Sequence, residues 1–513
     1  PSAKESPVLA SISSASVLGA TGRPVTVEVH VGTGLPSYQI IGLPDEACRE
    51  SRDRVRAAVL SSGLAWPTDK RVTVNLAPSG ERKTGAGLDV AIAVGVLAAF
   101  EQLPSDAAQR YGYVGELGLD GSLRPVPGVA PMVGVLCGRE VVVPVASQVE
   151  ARVVATAAVH PVSRLREIAD VLIEGAPWPE SALPELAYTE QSSADLADVH
   201  GQPIARLALE VAAAGGHHLL FVGPPGAGKT MLASRLVGIL PNLERQQALE
   251  VTMIHSAAGL TLPPGGLVRR PPFRAPHHTS SVVALVGGGA ATLRPGEASI
   301  AHGGVLFLDE LGEFAPSVLD GLRQPLEDGV IRVARANIRA TLPARFLLIG
   351  ATNPCPCGEA APGACACGAT AKAKYVRRFS GPLLDRFDLR VPVHMPGVDA
   401  LVAGDRGEPT ALVARRVAAA RRRSLDRAGV LNGALAPDDL DRHAPIDHDA
   451  RALLRAEIER GRLTGRGYHR IRRVARTIAD LRGEPPDVIG AEIVEEALQF
   501  RVRLRSPVPG RVA

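Results

Sequence analysis

Apolar residues in this chain fall first into short β-type runs, then into strand cores alternating with helices, and finally into helix-spaced positions among arginines. The runs "VTVEVHV" (Val25 to Val31), "RVTVNLAP" and "EVVVPVA", interleaved with helical stretches, predict an α/β domain over residues 1–177. The most apolar stretch is "VAIAVGVLAAF" (Val90 to Phe100), whose length predicts a buried helix and falls short of a membrane span. Residues 178–200 are polar, acidic and serine-bearing, and read as a linker. From 201 to 395 strand cores and helices alternate as in a wound parallel sheet. A basic helical connection over 396–435 and a helical domain over 436–513 follow. In "RIRRVARTIADLRG", Ile471, Val474, Ala475, Ile478 and Ala479 recur at helix spacing and Gly483 stops the run.

Composition narrows the function without choosing it. A chain of 513 residues exceeds one hydrophobic core and suggests about three domains. Hydrophobic residues at 46% and charged ones at 21% fit a soluble globular protein, and no sustained apolar segment near the start reads as a secretory signal, so a cytoplasmic location is expected. Lys plus Arg exceed Asp plus Glu only by 57 to 53, so any nucleic-acid surface must be local. Aromatic residues at 3% disfavour a base-stacking groove. Six cysteines in such a chain read as thiols or metal ligands rather than a disulfide framework.

The chemistry concentrates in the middle region. "HHLLFVGPPGAGKTMLASRLVGILP" is a strand, a glycine loop and a helix, and Gly223 to Thr230 fits G-x-x-x-x-G-K-[ST]. Glycines let backbone N–H groups converge on phosphate oxygens, and the helix beginning near Lys229 aims its positive end at the same charge. Lys229 is expected to reach the β and γ phosphates and Thr230 to hold Mg²⁺. In "GGVLFLDELGEF" the apolar residues Val305 to Leu308 precede Asp309 and Glu310, placing two carboxylates at the sheet's carboxyl edge. Asp309 would position Mg²⁺ and its waters, and Glu310 would polarise the attacking water. "ARFLLIGATN" ends a further strand in Asn353, where an amide can meet the γ phosphate or that water. Arg386 in "YVRRFSGPLLDRFDL" and Arg466 in "TGRGYHRI" are candidates to complete a neighbouring subunit's site, a surface ion pair being the alternative.

Cys355, Cys357, Cys365 and Cys367 form C-x-C-x7-C-x-C, two short knuckles offering four soft ligands for tetrahedral Zn²⁺, with free thiols as the alternative. Cys48 and Cys137 read as ordinary buried thiols. His277 and His278 make a poor chelate because adjacent side chains diverge, so structural or nucleic-acid contacts are expected. "ARRVAAARRRSLDR", with Arg415, Arg416, Arg421, Arg422 and Arg423, is either a basic contact surface or a solvated helix face.

The series "GPPGAGKT", "RPPFRAPHHTSS", "LVGGG", "RPGEASIAHGGVLFLDELGEF", "LRQPLEDG", "ATNPCPCG" and "SGPLLDRFDL" resembles the ComM/YifB family of magnesium-chelatase-like AAA+ ATPases, and the resemblance spans nearly the whole chain. It implies an α/β fold: an AAA+ P-loop three-layer αβα core with a C-terminal helical lid, plus an N-terminal α/β domain like the proteolytic domain of Lon. It further implies ATP and Mg²⁺ as cofactors, a structural Zn²⁺, and a homo-hexameric ring, away from any membrane, that drives branch migration on DNA during recombination in transformation. Gly223, Pro224, Pro225, Gly226, Ala227, Gly228, Lys229 and Thr230 match Walker A, and Asp309 and Glu310 match Walker B. Asn353 matches sensor 1, Arg386 the arginine finger and Arg466 the sensor 2 arginine. Where the Lon-like domain would open its helix on a serine nucleophile, this chain has Leu88 and Asp89, and Lys83 alone restores no nucleophile, so peptidase activity is expected to be lost. The wider clade places a β-hairpin such as "EDGVIRVARANIRATLPARF" in the ring's pore, where Arg332, Arg335 and Arg339 would face DNA phosphates. Competing readings are a metal-insertion motor, disfavoured by the Lon-like domain, and an ATP-switched binding scaffold.

Overall fold

The structure is a computed structural model describing residues 8–181, 194–289, 293–335, 338–358, 365, 367–368, 370–371, 374–375, 378–379, 381–397, 406–483 and 487–501. Its first unit holds strands β1 (Val8–Leu18), β2 (Thr21–Gly32), β3 (Ser37–Ile41), β4 (Arg71–Ala77), β5 (Tyr111–Tyr113), β6 (Glu116–Leu117), β7 (Leu123–Arg124), β8 (Glu140–Pro144) and β9 (Val159–Val162). Except for the small β6–β7 hairpin they form one sheet in the order β3-β4-β2-β1-β5-β8-β9. β1 and β2 run antiparallel from Val8↔Val31 to Leu18↔Thr21. Val25, Val27, Val29 and Val31 are buried while the residues between them are not, the period-two signature of a strand with one covered face. The cover is the helix Asp89–Ala99, buried at every position. It approaches closely: a β-carbon on Gly95 would stand 2.7 Å from Val29 Cγ2.

The second unit adds β10 (Leu219–Val222), β11 (Phe273–Arg274), β12 (Val305–Leu308), β13 (Val330–Arg335), β14 (Ile338–Pro343), β15 (Leu347–Thr352) and β16 (Leu389–Pro392). Five of these make a parallel sheet in the order β11-β12-β15-β10-β16. Its central strands β10, β12 and β15 are buried on both faces, so they read as continuous apolar runs, and successive residues divide between two cores. Leu219, Phe221, Val305, Phe307, Ile349 and Ala351 enter one core; Leu220, Val222, Leu306, Leu308 and Leu348 enter the other. The result is a three-layer α/β unit.

The helices Thr410–Ala428, His448–Glu459, Gly465–Leu481 and Ala491–Gln499 follow. Ile471, Val474, Ala475, Ile478 and Ala479 are buried, as their spacing requires. They share a core with Val413, Val417 and the sheet residues Leu219 and Phe221, so the helical region is built onto the sheet. Three arginines of the basic run are held by groups of this chain. Arg416 binds Glu210 at 2.7 and 2.9 Å, Arg421 donates to Ala213 O, and Arg423 donates to Asp480 O. Arg415 and Arg422 remain exposed.

Candidate active site

The phosphate loop follows directly from β10. A β-carbon on Gly223 would stand 2.1 Å from the Val393 carbonyl, so glycine alone permits the loop to leave the sheet beside β16. Gly228, at φ +87°, turns the chain into the helix Lys229–Ile239. Lys229 is largely buried, and its ammonium donates to Gly223 O and Pro224 O at 2.7 Å and to Asn353 Oδ1 at 3.2 Å. Desolvation pushes its pKa down, opposed by the charges of Asp309 and Glu310. One cation therefore spans the loop after β10 and the end of β15.

β12 lies beside β15 and delivers the two carboxylates. Thr230 Oγ1 donates to Asp309 Oδ2 at 2.6 Å, and the Glu310 amide donates to Asp309 Oδ1 at 2.9 Å. A hydroxyl and a carboxylate this close present the hard oxygen ligands that Mg²⁺ prefers. Glu310 adopts φ +49°, in the left-handed region that residues with a β-carbon seldom occupy. Residues Pro225 to Met231, Asp309, Glu310, Thr352 and Asn353 line a cleft of about 360 Å³. The sequence motifs thus converge at the carboxyl edge of three adjacent strands, where open α/β sheets bind ligands.

One contact at this cleft escaped the sequence reading. His278 Nδ1 lies 3.1 Å from Glu310 Oε2. Its neighbour His277 lies against it with ring centroids 4.1 Å apart and planes tilted by 33°, and hydrogen-bonds Thr279 instead. The pair is not a chelate; one imidazole addresses the carboxylate that follows Asp309. A histidine in the loop after β11 carries no local signal of a contact with a residue just after β12.

Arg386 and Arg466 stand outside the cleft lining. Arg386 pairs with Glu327. Burial lowers its pKa, and so do the positive charges of Arg470, Arg466 and Arg323. Arg466 lies in the first turn of Gly465–Leu481, whose N-cap Thr464 accepts from the Gly467 amide at 3.1 Å.

The four clustered cysteines meet. Cys355 Sγ is 3.2 Å from Cys357 Sγ and 3.5 Å from Cys365 Sγ, Cys357 and Cys365 are 3.6 Å apart, and all four sulfurs lie within 4.8 Å of one another. Tetrahedral zinc with Zn–S bonds of about 2.3 Å has sulfur–sulfur edges of about 3.8 Å, so the donor set fits this ion. Burial pushes the Cys355 thiol up to about 12, helped by hydrogen bonds from the neighbouring thiols. The knuckle leans on the phosphate loop: at Gly358, φ +77°, a β-carbon would stand 2.8 Å from Pro225 Cδ. Cys48 is buried as expected, but Cys137 is exposed, in the turn that follows the short buried helix Val129–Gly134.

In the first unit Lys83 is buried and donates to the Pro78 and Glu81 carbonyls. Asp89 is held by Arg54 at 2.8 Å and accepts the Leu117 amide. Both side chains are occupied by structural partners. The β13–β14 hairpin is present, pairing Val330↔Pro343 through Arg335↔Ile338. Arg332 and Arg339 are exposed on it; the Arg335 side chain and the tip at 336–337 lie outside the described residues. No described helix is long and apolar enough to cross a membrane.

Comparison with known proteins agrees with this geometry. The family model described as "Magnesium chelatase, subunit ChlI" matches residues 195–400, "Subunit ChlI of Mg-chelatase" matches 27–147, and "Magnesium chelatase, subunit ChlI C-terminal" matches 407–501. The chain is 41% identical over 501 residues to the uncharacterized protein YifB of Salmonella typhimurium, covering 96% of this chain and 97% of YifB. It is 40% identical over 504 residues to the competence protein ComM of Haemophilus influenzae, covering 97% and 98%. A shorter match, 29% over 175 residues, links 34% of this chain to 22% of a probable DNA helicase, MCM9, of Arabidopsis thaliana. With a phosphate loop, paired carboxylates and a polar strand end on one sheet edge, and with relatives matching over almost its full length, the chain belongs to the ComM/YifB family of magnesium-chelatase-like AAA+ ATPases.

Proposed function

We propose that this protein is an ATP-driven, ring-shaped DNA motor, a branch-migration helicase acting on recombination intermediates. The observation that carries the reading is the alignment of Lys229, Thr230, Asp309, Glu310 and Asn353 around one cleft on adjacent parallel strands. ATP binds with its phosphates on the Gly223–Gly228 amides and the Lys229 ammonium. Thr230 and Asp309 would hold Mg²⁺, which when bound would supply positive charge to the phosphates. Glu310 accepts the proton of the attacking water, Asn353 orients that water or the γ phosphate, and Arg386 and Arg466 act on the site of the adjacent subunit. Arg332, Arg335 and Arg339 on the hairpin meet DNA phosphates without reading sequence. The cysteine knuckle holds a structural zinc. Support for DNA as the moved polymer comes from the names of the relatives: a competence protein and a probable DNA helicase.

The test is migration of a synthetic four-way junction with and without ATP. The parental protein is expected to exchange strands only with hydrolysable nucleotide. Glu310→Gln should retain nucleotide binding, slow hydrolysis by at least about 100-fold and stall migration. Full DNA-directed activity in Glu310→Gln would mark a nucleotide-switched scaffold and end the motor reading.

A further inference from the structure

The turn between β1 and β2 sits on the β13–β14 hairpin of the ATPase unit. Ala20 shares a core with Ile331 and Leu342, and a β-carbon on Gly19 would stand 2.6 Å from Leu342 Cδ2. That packing uses one face of the hairpin. By the register, Arg332 faces Thr341 and Ala334 faces Arg339 across the two strands, and these pairs share the opposite face. Between the hairpin and the start of β2 lies a cleft of about 480 Å³, lined by Leu18, Thr21 and Arg23 on one side and by Arg332, Arg339 and Thr341 among others on the hairpin side.

The lining has a distinct chemistry. It offers three guanidiniums and two threonine hydroxyls, and no carboxylate or aromatic ring is among the lining residues. Guanidiniums and hydroxyls bind phosphodiester oxygens, and without a ring to stack on, the bases gain nothing here. Two of the arginines already have acidic partners outside the cleft: Arg23 pairs with Glu81 at 2.9 Å and Arg332 with Asp328 at 2.5 Å. Both pairs are solvent-exposed and contribute little, so exchanging a carboxylate for a phosphate costs little. We propose that a DNA phosphodiester backbone lies in this cleft, and that Arg23 makes the N-terminal unit part of the DNA grip. The inference rests on the DNA-motor reading and adds the partner of a unit that reading leaves without one.

Binding of fluorescent oligothymidylate to the full-length protein, with a non-hydrolysable ATP analogue and at several salt concentrations, tests it. Arg23→Ala should weaken binding by about three- to tenfold and reduce the slope of log affinity against log salt by about 1, as for loss of one phosphate contact. Arg23→Lys should restore most of both. Glu81→Ala, which frees Arg23, should bind at least as tightly as the parent, and Arg52→Ala, elsewhere on the N-terminal unit, should change nothing. Parental affinity and slope in Arg23→Ala, while Arg339→Ala loses both, would remove the N-terminal unit from the path and leave the hairpin. Equal weakening by Arg23→Ala and Glu81→Ala would show that the ion pair matters structurally, and would overturn the proposal. If the parental protein itself fails to bind DNA, the motor reading falls as well.

Discussion

Glu310 is held in a backbone conformation that costs on the order of 1 kcal/mol and at the same time is addressed by an imidazole. In the proposed motor a carboxylate whose Oε2 faces His278 offers that oxygen less readily to the attacking water. His278→Ala is expected to raise DNA-independent kcat by about three- to tenfold, the worth of one polar contact, with KM for ATP unchanged. His278→Asn keeps a donor where Nδ1 stands and should return the parental rate. A changed KM, or a kcat unaltered in both variants, would make His278 a packing residue only. At this scale the sequence was legible wherever the chemistry is local. Lys229 and Thr230 adjoin within one motif, and Asp309 and Glu310 close one strand. The His278 contact was illegible because it depends on β11 lying beside β12, a fact of sheet order that spacing along the chain does not encode.

The strand and the knuckle carry the next set of consequences. His218 stands just before β10, and its Nδ1 accepts the Leu348 amide of β15 at 3.0 Å, which requires that nitrogen to be unprotonated. Burial holds its pKa down at about 4, against about 6.5 in an unfolded chain. Between those values the unfolded state binds more protons, so stability falls as pH drops from 6.5 towards 4. Because part of the residue's surface still meets water, the loss at pH 5 is on the order of 1 kcal/mol. Amide exchange in β15, corrected for intrinsic rates, should then speed up about fivefold between pH 7 and 5, and His218→Asn should flatten that dependence. An identical pH response in the two proteins would assign the acid sensitivity elsewhere. Zinc belongs to this scale too. Protein purified without added metal should carry stoichiometric zinc, and Cys365→Ser combined with Cys367→Ser should carry almost none. Since Gly358 abuts Pro225, that variant should also bind ATP more weakly, by about threefold or more, through a displaced phosphate loop. Equal and negligible zinc in both proteins would reject the site. Among elements, the parallel strands and the amphipathic helix at 465–481 were legible from the spacing of apolar residues alone. The arginine run was not, since its partners Glu210, Ala213 and Asp480 are remote in sequence and only packing brings them near.

Across the whole molecule, the placement of Arg386 and Arg466 bears on assembly. Arg386 feels the positive charges of Arg470, Arg466 and Arg323, and carboxylates stand beside three of the four: Glu327 at Arg386, Asp388 at Arg470 and Asp320 at Arg323. Arg386 lies outside its own chain's cleft lining, where in the proposed head-to-tail ring an adjoining subunit would bring a triphosphate to it. If each site is shared in this way, two dead proteins must revive each other. Lys229→Ala lacks the phosphate grip but still offers Arg386; Arg386→Ala has the grip but offers no guanidinium. Each alone should hydrolyse ATP at least about 100-fold more slowly than the parent. In an equal mixture allowed to exchange subunits, an interface is complete when an Arg386→Ala subunit supplies the loop and a Lys229→Ala subunit supplies the arginine. Random assembly makes about a quarter of interfaces complete, so hydrolysis should recover towards that fraction if sites fire independently, and further below it the more a ring requires sequential firing. A mixture no more active than its components, under conditions where tagged subunits are shown to exchange, would place Arg386 in its own chain's chemistry or in none.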